Sequence, residues 1–299
     1  MTLRLQETGE NKYNILEKLH NESGYLWVSD SFDYNLCHSY FLYLVLESNR
    51  VTVCVIEEQK GELKAIQEVK GKQLLQITEN LELALTKIKF LKYDYQQQQL
   101  SVFCNRNTLL PASLPRDLEQ LAQFEIEKPN EGETWLNQNI LSEKLSLSGV
   151  SNLKTIEFLQ HKIPNLNVYN LASVFLDEKN KLSRFHESIM GYWLISDTIS
   201  YFCIYHKNEL LFFNQFEISN TEDILYYSLN VFDQLKIEPN KMKLEFSGQI
   251  NSIELNLDLI SEYIPDNSLG KEIKGLNTEY LNDSAIYRNH TLLNMFLCE

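Results

Sequence analysis

The pattern of apolar and polar stretches over residues 41–104 recurs over residues 192–247. Each stretch reads as three short strands, a helix and a fourth strand. The second strand begins near residue 51 in one copy and residue 200 in the other, and the fourth strands begin near 99 and 242. A unit repeated with so little drift constrains the fold tightly. Each copy has to bury its own helix against its own sheet, and the two copies then face each other across a cleft.

In the first copy, Phe41, Leu42, Tyr43, Leu44, Val45 and Leu46 are apolar on both faces, as a covered central strand requires. A tight turn through Ser48 and Asn49 leads into a second such run over 51–56. A more alternating run over 63–69 predicts a strand towards the sheet edge. Leu74, Ile77, Leu81, Leu85 and Ile88 share one stripe of a helix over 74–90, and residues 100–104 read as the fourth strand. The glutamine run before it, 96–99, is expected in a solvated turn.

The second copy gives strands over 192–195, 201–205 and 210–213. Ser219 to Glu222 predict a capping box opening a helix that buries Ile224, Leu225, Ser228, Phe232 and Leu235. Pro239 and Asn240 stop the chain before a strand over 243–246, and an apolar helix follows over 255–263. Between the copies, helices are expected near 116–126 and 153–161, a strand-like stretch near 140–147 and a short strand at 167–169. The fold class expected is α/β with mixed sheets, organised as an N-terminal extension (1–35), a first lobe (36–165) and a second lobe (166–299). Trp27, Phe32 and Tyr34 are expected to pack the start of the chain against the first copy.

Composition narrows the partners. The 299 residues are 43% hydrophobic with only six prolines, which describes an ordered globular chain able to bury a substantial core. The 27 basic and 41 acidic residues leave a net charge of −14, a field that repels phosphate backbones and anionic lipid. Nucleic-acid binding is therefore not expected. Nor is membrane insertion, because no stretch approaches the roughly 20 apolar residues that span a bilayer. The N-terminus lacks the layout of a signal peptide. Cys37, Cys54, Cys104, Cys203 and Cys298 are odd in number and widely spaced, which reads as buried apolar residues in a reducing cytoplasm.

A meander, a crossover helix and a fourth strand make the ribonuclease-H-like unit, and two of them in one chain resemble the actin-like ATPase superfamily. The segment from Leu210 through Asn214 and Phe216 to Glu217, then Thr221 to Tyr227 and Leu244 to Ile250, is similar to the hallmark region of a bacterial family of uncharacterised proteins with an actin-like fold. The resemblance covers roughly 36–264 and implies a duplicated ribonuclease-H-like fold, two lobes around a cleft, with no established activity.

The resemblance also says where nucleotide chemistry belongs. ATP-hydrolysing members of the superfamily carry an Asp-x-Gly turn after the first strand of each copy, where glycine admits the phosphates to the backbone amides and the acid serves magnesium or water. The corresponding turns here are Glu47-Ser48-Asn49 and Ser196-Asp197-Thr198, acidic but without glycine. Paired glycines after the second copy's fourth strand are replaced by Ser247 and Gly248. A Cβ blocks the close approach, and acids without those amides repel phosphate.

The expectation is a degenerate cleft with no cofactor, in a scaffold or interaction module that binds an unknown protein partner or self-associates. Related folds serve as scaffolds in pilus-assembly and secretion machinery. The alternatives are a nucleotide held without turnover, a small-ligand sensor, and a divergent magnesium-dependent ATPase or phosphotransferase using Glu47 and Asp197 with ATP and magnesium. Asn214 and Phe216 are candidates for a recognition surface, set against a plain strand-end hydrogen bond for Asn214. His186 with Glu187 as an acid–base pair and Cys104 as a nucleophile are weaker candidates, read first as a solvated pair and a buried thiol.

Overall fold

The computed structural model describes residues 24–113, 129–141, 144–197, 199–271 and 273–298. Strands β1 (Gly24–Val28), β2 (Phe41–Leu46), β3 (Arg50–Glu57), β4 (Glu62–Lys70), β5 (Gln97–Val102), β6 (Arg106–Pro111), β7 (Glu133–Ile140), β8 (Leu145–Asn152), β9 (Leu166–Asn170), β10 (Ile189–Ile195), β11 (Ile199–His206), β12 (Glu209–Glu217), β13 (Met242–Gly248) and β14 (Asn267–Leu269) form three sheets. Helices α1 (Thr78–Thr86), α2 (Leu153–Lys162), α3 (Leu171–Ser183), α4 (Thr221–Leu235), α5 (Leu257–Ser261), α6 (Asp283–Arg288) and α7 (His290–Leu293) accompany them.

The repeat is visible in strand order. The first sheet runs β1-β4-β3-β2-β5-β9 and the second β12-β11-β10-β13-β14. Set β1 aside and each is an antiparallel meander whose first strand is flanked by a parallel fourth strand and then a parallel fifth. Parallel neighbours need a crossover connection, and α1 and α4 lie within those connections. This is the ribonuclease-H-like unit twice over, in an α/β protein of actin-like fold. The third sheet, β6-β8-β7, is inserted between the fourth and fifth strands of the first unit.

β10 and β11 are apolar on both faces because each face meets a different core. Trp193, Ile195, Phe202 and Ile204 pack with Ile224, Leu225 and Phe232 of α4 and with Ile260 of α5. Tyr192, Leu194, Tyr201, Cys203 and Tyr205, pointing the other way, belong to the core of the first sheet. Phe175 and Leu176 of α3 join that core, as do Leu292 and Leu293 of α7. The two lobes are therefore welded by shared apolar packing.

Several local expectations change. Gln97 to Gln99 form the start of β5, paired with Phe41 to Tyr43; Gln98 and Gln99 are buried, and Gln98 donates to the Pro164 carbonyl (2.9 Å). Pairing on both sides overrides the polar composition. β4 is interior, since β1 from the expected N-terminal extension pairs along its outer side. The stretch near 140–147 holds the β7–β8 connection instead of one strand. The cap of α4 moves by one residue: Asn220 accepts from the Asp223 amide, and the Asp223 carboxylate accepts from the Ser219 amide, both at 2.8 Å. Leu235, expected inside, lies at the exposed end of that helix. β9 follows the proposed 165/166 boundary yet is hydrogen-bonded to β5 in the first sheet. The helix expected near 116–126 lies outside the described residues.

Candidate functional site at the lobe junction

The chain leaves β2 through a tight turn. The Glu47 amide donates to the Arg50 carbonyl (3.0 Å), while the carbonyls of Ser48 and Asn49 accept from the amides of Leu74 (2.7 Å) and Gly71 (2.8 Å). The corresponding turn after β10 is tied down by its own serines. Ser196 donates its amide to the Ser200 hydroxyl (3.2 Å) and its hydroxyl to the Ile199 carbonyl (2.7 Å). Thr198 lies outside the described residues. The two turns meet, with the Asn49 carboxamide donating to the Asp197 carboxylate.

Behind this contact sits Arg50, buried at the start of β3. It donates to Glu47 and, at 3.2 Å, to Glu68 of β4. Gln249 reaches in from the second lobe. With its amide oxygen facing the guanidinium, it accepts from Arg50 Nη2 at 2.7 Å. Arg288 stands 3.8 Å from the other Glu68 oxygen. Burial pushes the Glu47 carboxyl above its ordinary range; Arg50 offsets this only in part, and Asp197 and Glu68 add to the rise. Burial also works against the Arg50 charge, but Glu47 and Glu68 outweigh it. The cavity between Glu47, Arg50, Thr52, Arg288 and Thr291 measures about 20 Å³, room for one water.

The remaining cleft candidates have packing roles. Ser247 is buried and donates to the Trp193 carbonyl (3.2 Å). Gly248 has φ +90°, and a Cβ there would stand 2.2 Å from the Ile195 carbonyl oxygen. Its glycine is accounted for by the approach of β13 to β10, where Ile195 pairs with Gly248. At the corresponding strand end of the first copy, the Cys104 carbonyl accepts from the Tyr201 hydroxyl of β11 (2.9 Å), whose ring stacks on Phe103 with centroids 5.0 Å apart. Cys104 is fully buried, and burial drives its thiol well up, the setting of a packed thiol.

Asn214 and Phe216 both lie on β12, the edge strand of the second sheet, and differ in setting. Asn214 is exposed and accepts from the Gln215 amide (2.8 Å); Phe216 stacks on Tyr227 (centroids 4.4 Å) and packs against the second core. His186 and Glu187 lie past the end of α3, not in a helix, and Glu187 pairs at the surface with Lys207 (3.2 Å).

Sequence reasoning missed α3 and the charge cluster it carries. Lys179 is buried, with its ammonium 3.0 Å from Glu178, 3.2 Å from Glu245 of β13 and 3.2 Å from His290 of α7. Glu178 is also 2.7 Å from His290 and accepts from Asn294 (3.1 Å). Burial pushes the Glu178 carboxyl up, but Lys179 and His290 more than reverse that and hold it at about 2. Glu245 is lowered by the same balance, burial against Lys179 and His290. The available signal was a charged run, Asp177-Glu178-Lys179, bracketed by Phe175, Leu176 and Leu182 in a helix buried on most of its sides. Among the described residues, no group of three or more His, Cys, Asp or Glu side chains is placed to hold a metal ion, and no helix is long and apolar enough to cross a membrane.

Comparison with known proteins agrees with this architecture. A Bacteroides thetaiotaomicron VPI-5482 protein, described as having an actin-like ATPase fold and unknown function, superposes with a TM-score of 0.72 at 20% identity. The match covers 88% of this chain and 98% of that one. The PilM–PilN type IV pilus biogenesis complex gives a TM-score of 0.58 at 9% identity, over 86% of this chain and 97% of that one. Both likenesses concern the fold. No curated protein matches the chain. The model of a family described as "Protein of unknown function (DUF3822)" matches residues 29–266, and the chain belongs to that family.

Proposed function

We propose that this protein is a non-catalytic member of the actin-like fold, a cytoplasmic scaffold or interaction module whose nucleotide cleft is degenerate. The observation that carries this reading is the bond between Asn49 and Asp197. In an ATPase of this fold a phosphate chain would lie between the two turns, with backbone amides converging on it. Here one turn amide serves Ser200, the turn side chains serve each other, and Glu47 is committed to a buried arginine. The PilM–PilN complex supports the interaction half by analogy, being an assembly that contains a protein of similar fold.

Phosphate release from Mg·ATP tests the non-catalytic half. The wild type and a Glu47→Gln/Asp197→Ala variant are expected to show the same background rate. A wild-type rate well above background and lost in the variant supports the divergent ATPase instead. For the interaction half, the exposed Asn214 offers a handle. A partner that co-purifies from the native cell with the wild type and not with Asn214→Arg places recognition on the β12 edge. Equal recovery removes Asn214 from the interface.

A further inference from the structure

The small cavity at the lobe junction is lined by two hydroxyls that the ion cluster does not use. Thr52 of β3 is 2% exposed and Thr291 of α7 is 5% exposed, and among the described residues neither side-chain oxygen has a hydrogen-bond partner. Arg288, at the end of α6, lines the same cavity. Its guanidinium stands 3.8 Å from Glu68 Oε1, too far for a hydrogen bond, and that buried oxygen has no other partner. We propose that this cavity binds one internal water, held between Thr52, Thr291, Glu68 and Arg288.

The fold brings the four groups together from two sides. Thr52 and Glu68 are cross-strand partners on β3 and β4, so their side chains leave the same face of the first sheet. Arg288 and Thr291 come from the two short C-terminal helices, of which α7 lies against β2 and β3. Burying a hydroxyl or a carboxylate oxygen costs free energy unless it finds a partner. A polar contact beyond 3.5 Å is one that a shared water can complete. The other polar groups around the cavity are already engaged: Glu47 with Arg50, Arg50 with Glu68 and Gln249, and Asn289 with Tyr25.

The balance of donors and acceptors selects water over an ion. Arg288 only donates and the Glu68 carboxylate only accepts, while each threonine hydroxyl does either. A water that accepts from Arg288 and one threonine, and donates to Glu68 and the other threonine, satisfies all four groups. Chloride would be repelled by the Glu68 oxygen, and a cation by Arg288. The volume of about 20 Å³ exceeds the roughly 10–15 Å³ that one water needs and is far below that of an organic ligand site. The water takes the place of a direct bond between Arg288 and Glu68, and so ties α6 and α7 to the first sheet.

A high-resolution crystal structure of the full chain, with and without a bromide soak, tests the site. One isolated density peak is expected within about 3.2 Å of both threonine oxygens and Glu68 Oε1, with no anomalous signal from bromide. In solution, the sign of two substitutions carries the test. Replacing an unpartnered buried hydroxyl by a methyl group raises stability, whereas replacing one that is bonded to a water removes that bond. Thr52→Val and Thr291→Val are therefore each expected to lower the urea midpoint. The double variant should lose less than the sum of the two, because both act through one water. The proposal is overturned by featureless density between the four groups, by bromide in that position, by a midpoint that stays or rises in either single variant, or by losses that simply add. None of these outcomes bears on Mg·ATP or on a protein partner, so this reading and the proposed function fail separately.

Discussion

Asn49 and Asp197 are 148 positions apart in the chain, on corresponding turns of the two repeated units, and their side chains are hydrogen-bonded to each other. The contact joins the two repeated units through the turns that follow their first strands. Asp197 is exposed, so the bond adds little to global stability, under about 1 kcal/mol. Its effect is local. Asp197→Ala should leave the unfolding midpoint nearly unchanged and speed hydrogen exchange at 47–50 and 196–200. Unchanged exchange in both turns means that the contact does not hold them.

The lobes are held more firmly around Lys179. Removing one partner from a buried ionic cluster leaves the others uncompensated, at about 3–5 kcal/mol. Lys179→Met, which strands Glu178 and Glu245, should lower the unfolding free energy in urea by that amount. Adding Glu178→Leu should recover part of the loss, because one buried charge then disappears with its partner. A single substitution costing less than about 1 kcal/mol contradicts a coupled cluster.

The same cluster makes stability depend on pH in a known direction. Glu178 has a folded-state pKa of about 2 against an ordinary 4.5. Its contribution is complete above pH 4.5 and is lost as pH falls from there towards 2. The separation corresponds to about 3 kcal/mol at neutral pH. Glu245 acts in the same sense and Glu47, whose pKa is raised, in the opposite one. Denaturation of the wild type and Glu178→Gln between pH 6 and 3 should give a steeper fall for the wild type. Parallel curves contradict the assignment.

Gly248 offers a backbone test. With φ at +90° and the Ile195 carbonyl oxygen 2.2 Å from any added Cβ, Gly248→Ala should cost about 2–3 kcal/mol by thermal or urea unfolding. A change within 0.5 kcal/mol, the usual scatter of surface substitutions, contradicts the packing role assigned to this glycine.

What could be read from the sequence follows from which interactions are local. The meanders of both copies were legible because Phe41 to Leu46 and Tyr201 to Tyr205 carry their burial in their own composition. Gln97 to Gln99 were misread because their strand is imposed by β2 and β9, which contribute nothing to the local pattern. Glu47, Asp197, Ser247 and Gly248 were singled out by comparison with the glycine pattern that the resemblance implies. The buried arginine cluster behind Glu47 was not, since Arg50, Glu68 and Gln249 meet only in three dimensions. The Lys179 cluster was hidden for the same reason: Glu245 and His290 are 66 and 111 positions from it.

Calorimetric titration of the full chain with Mg·ATP tests the central claim most directly. A cleft closed by Asn49, Asp197 and Arg50 predicts no saturable heat at nucleotide concentrations up to about 1 mM. One-to-one binding in the micromolar range, lost in Asp197→Ala, would show that the turns open for a nucleotide and that the silent-cleft account is wrong.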